Sequence, residues 1–275
     1  MEVKLHISNL LRKLGLLRFT DSIRFAFQKA KRKGMNSRFK RQHAQFEFPP
    51  PYFIYETYQL DYDRYYNDGL VTAGEIIDAI KKYKSGMGPG FAILDWGCGP
   101  GRITRHLPGF LPSGSNVHGT DYNAQYVSWC QQNIPGIDWS TNTLHPPLNF
   151  GEETFDAIIG LSVFTHLAES SHSSWLKELH RICRQDGILL LTTQGIAFRN
   201  KLIASEIKSF DEGNIVVREN KLEGHRLFSA FHPPSTMQRL FQPWFHICEL
   251  SEGSNLQGDE PSQDIWILKK KNLNG

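Results

Sequence analysis

Ile93-Leu94-Asp95-Trp96-Gly97-Cys98-Gly99-Pro100-Gly101-Arg102 is the stretch of sequence that decides the fold. A short apolar run ends in a carboxylate, passes through three alternating glycines and leads into a segment with a helical pattern. Glycine permits positive φ angles and has no Cβ, so the backbone of such a turn can approach a ligand closely. The stretch therefore predicts a strand, a tight turn and a helix, with a ligand at the turn.

The spacing of these glycines discriminates between kinds of nucleotide site. A dinucleotide fingerprint that begins at Gly97 requires glycine at position 102, but Arg102 stands there and the third glycine is Gly101. A phosphate-binding Walker loop requires Gly-Lys-Ser/Thr, which this stretch lacks. The pattern is D-x-G-x-G-x-G. A tight turn without a ligand is the alternative interpretation.

After this turn, short apolar segments alternate with helical patterns. Strands are predicted at residues 91–95, 117–121, 137–140, 155–161, 187–193, 245–250 and 264–270. Helices are predicted near residues 101–107, 123–133, 172–184 and 234–241. This alternation predicts an α/β fold, in which a mostly parallel sheet is covered by helices on both faces.

The segments outside this alternation suggest the domain organisation. Apolar residues recur with helical spacing at 5–17, a basic aromatic stretch at 23–33 is expected to break at Gly34 and Asn36, and a helix is predicted at 72–83. Pro49-Pro50-Pro51 predicts a stiff linker. We therefore expect a basic N-terminal extension at 1–51 and one domain at 52–275. Residues 195–230 interrupt the alternation, and this insert is expected to cap an acceptor pocket.

Charge is distributed unevenly along the chain. Residues 1–41 contain twelve Lys or Arg against Glu2 and Asp21, whereas the whole chain has a net charge of +3, so the remainder is net acidic. A basic arm on an acidic body predicts an anionic partner for the arm, such as a membrane surface, and no nucleic acid on the body. A solvated helix or an oligomer contact is the alternative, and the oligomeric state is not predicted.

The remaining composition indicates a cytoplasmic protein. Its four cysteines are scattered and form no CxxC pair, so no zinc site, other metal site or disulfide framework is predicted. The longest apolar runs, such as 188–191, are too short to span a bilayer. Basic residues interrupt the apolar N-terminal segment, which therefore lacks the pattern of a cleavable signal peptide.

A second strand also ends in a carboxylate, in Val117-His118-Gly119-Thr120-Asp121-Tyr122. Further along the chain, the motifs Leu161-Ser162-Val163-Phe164-Thr165-His166-Leu167, Trp175-Leu176-Lys177-Glu178-Leu179-His180-Arg181 and Asp186-Gly187-Ile188-Leu189-Leu190-Leu191 follow in order. Together with the D-x-G-x-G-x-G turn, these motifs resemble the class I (Rossmann-like) S-adenosylmethionine-dependent methyltransferases, in the branch with GCGxGR and SVFTHL motifs. Gln185-Asp186-Gly187 stands where that family usually has Pro-Gly-Gly, but Asp-Gly can also form a turn.

The resemblance implies a seven-stranded, mostly parallel sheet with an antiparallel last strand. It implies S-adenosylmethionine as cofactor and S-adenosylhomocysteine as product, bound by Asp95, Gly97, Cys98, Gly99, Gly101, Asp121, Tyr122, Asn142, Thr143, Leu161 and Ser162. In this assignment Asp121 accepts hydrogen bonds from the ribose hydroxyls, Tyr122 flanks the adenine, and Asn142 reads the adenine amino group at a position where many members have Asp. The alternatives are a helix N-cap at Asp121 or Asn123 and an ordinary turn at Asn142.

The expected reaction is O-methylation of a small molecule or a sugar or glycan. A hydroxyl acceptor benefits from a general base at the carboxyl ends of the strands, and the candidates are His166, His232 and Asp264. A structural role is the alternative for both histidines. A lipid-linked or membrane-proximal acceptor, a non-catalytic cofactor-binding module and an NAD-dependent enzyme remain alternatives, the last disfavoured by Arg102.

Overall fold

The computed structural model describes residues 17–218, 223–224, 228–255 and 261–273. Residues 1–16 of the basic arm, and with them nearly all of the predicted helical segment at 5–17, lie outside the described residues. The chain divides into two compact units, and the boundary along the sequence falls between Val71 and Thr72. The predicted division into a basic extension at 1–51 and a domain at 52–275 stays a prediction.

Among the described residues of the first unit, the first element is one long helix, α1, at Leu17–Gln42. The expected break at Gly34 and Asn36 is wrong, because both residues lie inside this helix. Asn36 donates a hydrogen bond to the Leu60 carbonyl at 2.8 Å, and Arg32 pairs with Asp61 at 2.6 Å. These contacts hold the helix across a residue pair that by itself disfavours helix.

The proline run leads directly into a helix, and the φ and ψ angles of Pro50, −46° and 140°, are close to those of polyproline II. Pro50 is the N-cap of helix α2, Pro51–Tyr58, and Pro51 is its first residue. Proline suits that position, since the first amide of a helix has no intrahelical acceptor. The next helix, α3, spans Tyr62–Tyr83 and so begins earlier than the predicted 72–83. Aromatic side chains fill the core of the first unit, where Phe48 stacks on Tyr62 with ring centroids 4.9 Å apart.

The second unit is built on a seven-stranded sheet. Its strands are β1 Ala92–Trp96, β2 Asn116–Asp121, β3 Asp138–Thr141, β4 Phe155–Gly160, β5 Cys183–Thr193, β8 Phe245–Ser251 and β9 Asp264–Lys270. The strand order is β3-β2-β1-β4-β5-β9-β8, with β1 to β5 parallel and β9 antiparallel to both neighbours. The predicted α/β fold, a Rossmann-like and mostly parallel sheet with an antiparallel last strand, is confirmed.

Helices cover both faces of this sheet, as predicted. The sheet has a hydrophobic core on each face. Alternate residues of β1 belong to different cores, Leu94 and Trp96 to one and Ile93 to the other. Helices α5, Glu169–Ile182, and α7, Pro234–Phe241, pack on the first face. Part of α3 packs on the second. Helix α4, Ala124–Asn133, packs its apolar side against Trp139 of β3.

Two further segments complete the second unit. A 3-10 helix at Thr104–Gly109 lies where a helical segment was predicted near 101–107, and it contains Pro108. The predicted insert at 195–230 contains a 3-10 helix at Ile196–Lys201, α6 at Ala204–Asp211 and the antiparallel pair β6, Val216–Arg218, with β7, Ser229–Phe231.

The chain adds β2 and β3 on one side of β1 and then returns to add β4 and β5 on the other side. The topological switch point therefore lies between β1 and β4. In open α/β sheets, the crevice at the carboxyl ends of such strands is the usual place for a ligand. The glycine turn after β1 lies at this crevice.

Candidate functional site

The glycine turn is fixed against the end of β2. Gly97, Gly99 and Gly101 have φ angles of 76°, 53° and 71°, in the region that favours glycine. The amides of Gly97 and Cys98 both donate to the Thr120 carbonyl, at 2.8 and 3.1 Å. A Cβ at position 97 would lie 2.5 Å from Val163, whereas one at position 99 would meet nothing within 4 Å. The turn therefore leaves open space beside Gly99.

Asp95 supports this turn from below. Its carboxylate is buried and accepts a hydrogen bond from the Thr104 hydroxyl at 2.5 Å. Burial raises the pKa of Asp95 to about 6, an effect that the hydrogen bond from Thr104 partly offsets. Asp95 thus joins the last residues of β1 to the helix that follows the turn.

Asp121 ends β2 and faces the turn. One carboxylate oxygen accepts from the Gly99 amide at 2.9 Å, and the other accepts from the Asn123 amide at 2.8 Å. Burial raises the pKa of Asp121, and the two backbone hydrogen bonds act against that rise. The helix N-cap is Asn123, whose side chain accepts from the Gln125 amide. Each oxygen of Asp121 retains a further lone pair for a ligand donor.

A cavity of about 110 Å³ opens at the carboxyl ends of β1, β2 and β4. Several predicted cofactor residues and one predicted base line it: Gly97, Asp121, Tyr122, Asn142, Thr143, Leu161, Ser162 and His166. Asp95, Cys98, Gly99 and Gly101 are not among its lining residues. Cys98 is buried beneath the turn, and burial raises the pKa of its thiol well above the usual value. These four residues shape the turn, and their predicted contact with a cofactor stays a prediction.

One wall of the cavity is formed by the residues that follow β2 and β3. The Thr120 hydroxyl lies 3.0 Å from the Asn142 side-chain oxygen, and the Asn142 amide group donates to the Thr143 carbonyl at 2.6 Å. Tyr122 is 42% exposed and donates from its hydroxyl to the Gly224 carbonyl at 2.9 Å. Gly224, a residue of the insert, therefore lines the cavity beside Tyr122.

The opposite wall is formed by the residues that follow β4. Ser162 has a φ angle of 62°, which is uncommon outside glycine and costs conformational energy. Its amide donates to the Thr192 hydroxyl at 2.7 Å, and its own hydroxyl donates to the Gln263 side-chain oxygen at 3.0 Å. Thr192 donates to the same oxygen of Gln263 at 2.6 Å. This network joins the ends of β4 and β5 to the start of β9.

The three predicted bases lie in different surroundings. His166 lines the cavity, and its Nδ1 lies 2.9 Å from the Phe228 carbonyl. His232 is fully buried, with its Nε2 3.0 Å from the Nε2 of His172. Burial lowers the pKa of His232 well below its usual value. Asp264 opens β9 opposite Thr193, so the predicted antiparallel direction of that strand places it at the carboxyl edge of β5. Neither His232 nor Asp264 is among the cavity-lining residues.

Some lining residues were not predicted from the sequence: Trp96, Leu144, Val163, Leu167, Trp175 and Gly224. Trp96 lies within the quoted turn and Trp175 within a quoted motif, so both could have been found from their positions. Gly224 gave no signal, because it comes from the irregular insert. Gln263 was missed because its role depends on the pairing of β9 with β5.

The lining suits a nucleoside. A carboxylate with spare acceptor capacity suits a ribose diol, and the large indole surfaces of Trp96 and Trp175 lie in the same cavity. Asp121 and Asn142 would hold the polar groups of S-adenosylmethionine, and the open space beside Gly99 would admit it without displacing a side chain. Among the described residues, no group of three or more His, Cys, Asp and Glu side chains is placed to hold a metal ion.

Comparisons with known proteins concern the domain that contains this cavity. Residues 93–187 match the model of a methyltransferase domain family. Cyclopropane mycolic acid synthase MmaA2 of Mycobacterium tuberculosis is 30% identical over 114 residues, which are 40% of this chain and 38% of that protein. The match thus spans less than half the length of this relative.

Solved structures support the fold. A S-adenosylmethionine-dependent methyltransferase from Methanosarcina mazei has a TM-score of 0.53 at 19% identity, covering 70% of this chain and 96% of that one. Magnesium protoporphyrin IX methyltransferase from Synechocystis, solved with bound S-adenosylhomocysteine, has a TM-score of 0.52 at 16% identity, covering 86% and 95%. At these identities the likeness concerns the fold alone.

Residues 93–187 are therefore similar to a methyltransferase domain, and the strand order around them is that of the class I fold. The predicted methyltransferase domain is confirmed for residues 93–187. The narrower branch with GCGxGR and SVFTHL motifs stays a prediction.

The buried carboxylate beneath the turn generates a pH prediction. Because the pKa of Asp95 rises from 3.8 in the unfolded chain to about 6 in the fold, the folded state holds more protons between these values. Folding stability should therefore fall by about 2 kcal/mol as pH rises from 4 to 6, and Asp95→Asn should remove this loss. Urea unfolding of the cofactor-free protein at a series of pH values measures it.

The matched control is Asp78→Asn, which removes an exposed carboxylate from α3. This variant should keep the wild-type dependence on pH. A parallel loss of stability with rising pH in wild type and Asp95→Asn would show that the Asp95 carboxyl group is not responsible.

Proposed function

We propose that the protein transfers the methyl group of S-adenosylmethionine to a hydroxyl group of a small molecule or a sugar or glycan. The observation that carries the proposal is the carboxylate of Asp121, which the Gly99 and Asn123 amides hold in the cavity wall with acceptor capacity to spare. When bound, S-adenosylmethionine supplies an electrophilic methyl group on a sulfonium. The protein mainly has to align the acceptor with that group, which contributes about 7–11 kcal/mol in favourable cases.

Proton removal is assigned to His166. Its Nδ1 lies against the Phe228 carbonyl, which can only accept, so the neutral ring carries its proton on Nδ1 and Nε2 is the basic nitrogen. His166 also lines the cavity, whereas the other predicted bases, His232 and Asp264, do not. We therefore place His166 first among the three, as the group that takes the proton of the acceptor hydroxyl.

The cofactor assignment predicts the effect of one substitution. Wild type should bind S-adenosylhomocysteine with micromolar affinity, and Asp121→Ala should weaken this binding at least tenfold, because the ribose hydroxyls lose a charged acceptor worth about 1.5–3 kcal/mol. Isothermal calorimetry measures both affinities.

Asn123→Ala is the matched control, since it removes the N-cap of α4 and leaves Asp121 in place. It should cost about 1 kcal/mol of stability and leave the affinity within threefold. Equal affinities for wild type and Asp121→Ala would refute the assignment.

The base assignment predicts a kinetic effect. A screen of sugars, phenols and lipid-linked intermediates with mass detection of the added methyl identifies an acceptor. With that acceptor, His166→Ala should lower turnover 10²–10⁴-fold, with little change in the affinity for S-adenosylhomocysteine. The pH profile from 6 to 9 should lose the limb that reports the base.

Turnover and the pH profile of His232→Ala and Asp264→Asn are measured alongside those of His166→Ala. Near-normal turnover and an unchanged profile in His166→Ala would mean that His166 is not the base, and a large loss of turnover with normal binding in only one of the others would transfer the role to that residue. Cofactor binding without methyl transfer to any tested acceptor would favour a non-catalytic module.

A second candidate acceptor is a lipid-linked or membrane-proximal molecule. The relative from Mycobacterium tuberculosis is named for a mycolic acid, which is a lipid. No helix among the described residues is long and apolar enough to cross a membrane. The basic helix α1 would bring the protein to an acceptor of this kind.

One face of α1 has the character of a membrane-binding surface. Ile23 and Phe27 are 54% and 65% exposed although both are large and apolar. Lys31 follows Phe27 by four residues, and Arg38 and Arg41 return to the same face after further turns. We propose that this face contacts anionic lipid, with the protein otherwise in the cytoplasm. An apolar pair beside cations is the arrangement of an interfacial helix.

The lipid proposal predicts a charge dependence. Full-length protein should bind phosphatidylserine vesicles at low salt, and the combined substitution of Lys31, Arg38 and Arg41 by Gln should weaken binding at least tenfold, since each cation contributes about 1 kcal/mol. Replacing Lys81, Lys177 and Lys208 by Gln changes the net charge equally and should have little effect. If wild type does not sediment with such vesicles, the lipid contact is wrong, because low salt excludes screening as the cause.

A further inference from the structure

The cavity at the carboxyl ends of β1, β2 and β4 is small for the molecule that it is proposed to hold. Its volume is about 110 Å³, whereas pockets that enclose a small-molecule ligand usually measure about 300–1,000 Å³. The cavity therefore has room for only a part of S-adenosylmethionine, and some of its lining has to move. The strand ends are fixed by the sheet, and Trp96 and Trp175 are buried in the core, so the movable part lies elsewhere.

Gly224 is a part of the lining that the sheet does not fix. Among the described residues of the insert at 195–230, it alone lines the cavity. Its amide donates to the His166 carbonyl at 2.7 Å, on the wall after β4, and its carbonyl accepts from the Tyr122 hydroxyl at 2.9 Å, on the wall after β2. Gly224 therefore connects the two walls. Because Tyr122 is partly exposed, this connection lies at the rim of the cavity.

The backbone at Gly224 requires glycine. Its φ angle is 85°, in the left-handed region that side chains disfavour. A Cβ there would lie 2.9 Å from the Leu144 side chain and 3.1 Å from the Tyr122 ring. The main chain thus packs directly on the residues that follow β2 and β3, and it closes this side of the cavity.

The preceding residue, Glu223, attaches this segment to helix α5. Its carboxylate accepts from the Ala168 amide at 2.8 Å, and Ala168 is the N-cap of α5. The first amides of a helix have no intrahelical acceptor, and the helix dipole favours a carboxylate beside them. A hydrogen bond to a charged group is about twice as strong as one between neutral groups. Glu223 is therefore the stronger attachment, and the neutral hydrogen bonds of Gly224 are the ones that break first.

We infer that Glu223-Gly224 is a strap that holds the cofactor cavity closed in the free protein, and that the bond between Tyr122 and Gly224 has to break before S-adenosylmethionine enters. The inference rests on the proposed cofactor site and adds a control of access to it. The apparent affinity for the cofactor is then lower than the intrinsic affinity by the fraction of molecules with an open strap. A change that weakens the closed strap should therefore raise the affinity, whereas loss of a cofactor contact lowers it.

Tyr122→Phe tests this sign, because it removes the hydroxyl and keeps the ring. Stopped-flow fluorescence of the full-length protein with S-adenosylhomocysteine measures both rate constants, since Trp96 and Trp175 lie in the cavity as reporters. The association rate constant should rise about threefold to tenfold, which corresponds to roughly 0.7–1.4 kcal/mol for one neutral hydrogen bond. The dissociation rate constant should stay within about twofold, so the dissociation constant should fall.

Tyr83→Phe is the matched control. It removes a tyrosine hydroxyl that donates to Glu249 at 2.7 Å, and Tyr83 is not among the lining residues of the cavity. Both rate constants of this variant should equal those of wild type.

A second pair of variants acts on the strap itself. Gly224→Ala places a Cβ against Leu144 and Tyr122, so it should open the strap and speed association at least threefold. Gly213→Ala in the same insert is its control, because the φ angle there is 88° and a Cβ would meet nothing closer than 3.6 Å. The two variants carry similar backbone strain, and only the first should change the rate of association.

An unchanged or weaker affinity in Tyr122→Phe overturns the strap, as does a gain in affinity that comes from slower dissociation alone. Association of Gly224→Ala no faster than that of Gly213→Ala overturns it too, and if Gly224→Ala does not fold, Tyr122→Phe decides. Failure of wild type to bind S-adenosylhomocysteine instead removes the proposed function. Because wild-type binding is measured first, the two failures are distinguishable.

Discussion

The hydrogen bonds between the glycine turn and the end of β2 are the constraint on which the rest of the site depends. Two amides of the turn share the Thr120 carbonyl, and the Gly99 amide reaches the Asp121 carboxylate. These bonds require a backbone with positive φ at Gly97 and Gly99, which explains the glycines better than flexibility does. They also hold the Asp121 carboxylate, whose free lone pairs face the cavity.

The surrounding packing maintains this arrangement. Trp96 joins the turn to the core of one sheet face, where it contacts Phe164 and Trp175. Gly160 at the end of β4 leaves room for the Trp96 ring, since a Cβ there would lie 2.8 Å from it. The loop after β4 then places Ser162 and His166 on the cavity wall. A layer of aromatic side chains thus supports the proposed cofactor site.

Much of the fold follows from the sequence because local signals and tertiary packing agree there. The apolar strands and the carboxylates at their ends predicted the parallel sheet and the position of Asp121. The break expected at Gly34 and Asn36 failed, because the contacts of Asn36 outweigh local propensity. The helix that begins at Pro51 was not predicted, although proline suits the first position of a helix. The roles of Gly224 and Gln263 could not be predicted, since they depend on how distant segments pair and carry no periodic signal.

The central claim is that the cavity at the carboxyl ends of β1 and β2 binds S-adenosylmethionine through Asp121. The most direct measurement is the crystal structure of the full-length protein with S-adenosylhomocysteine. The account predicts both ribose hydroxyls within hydrogen-bond distance of the Asp121 carboxylate, the adenine between Tyr122 and Asn142, and the sulfur directed toward Ser162 and His166. S-adenosylhomocysteine bound elsewhere on the chain, or held in this cavity with its ribose away from Asp121, would contradict it.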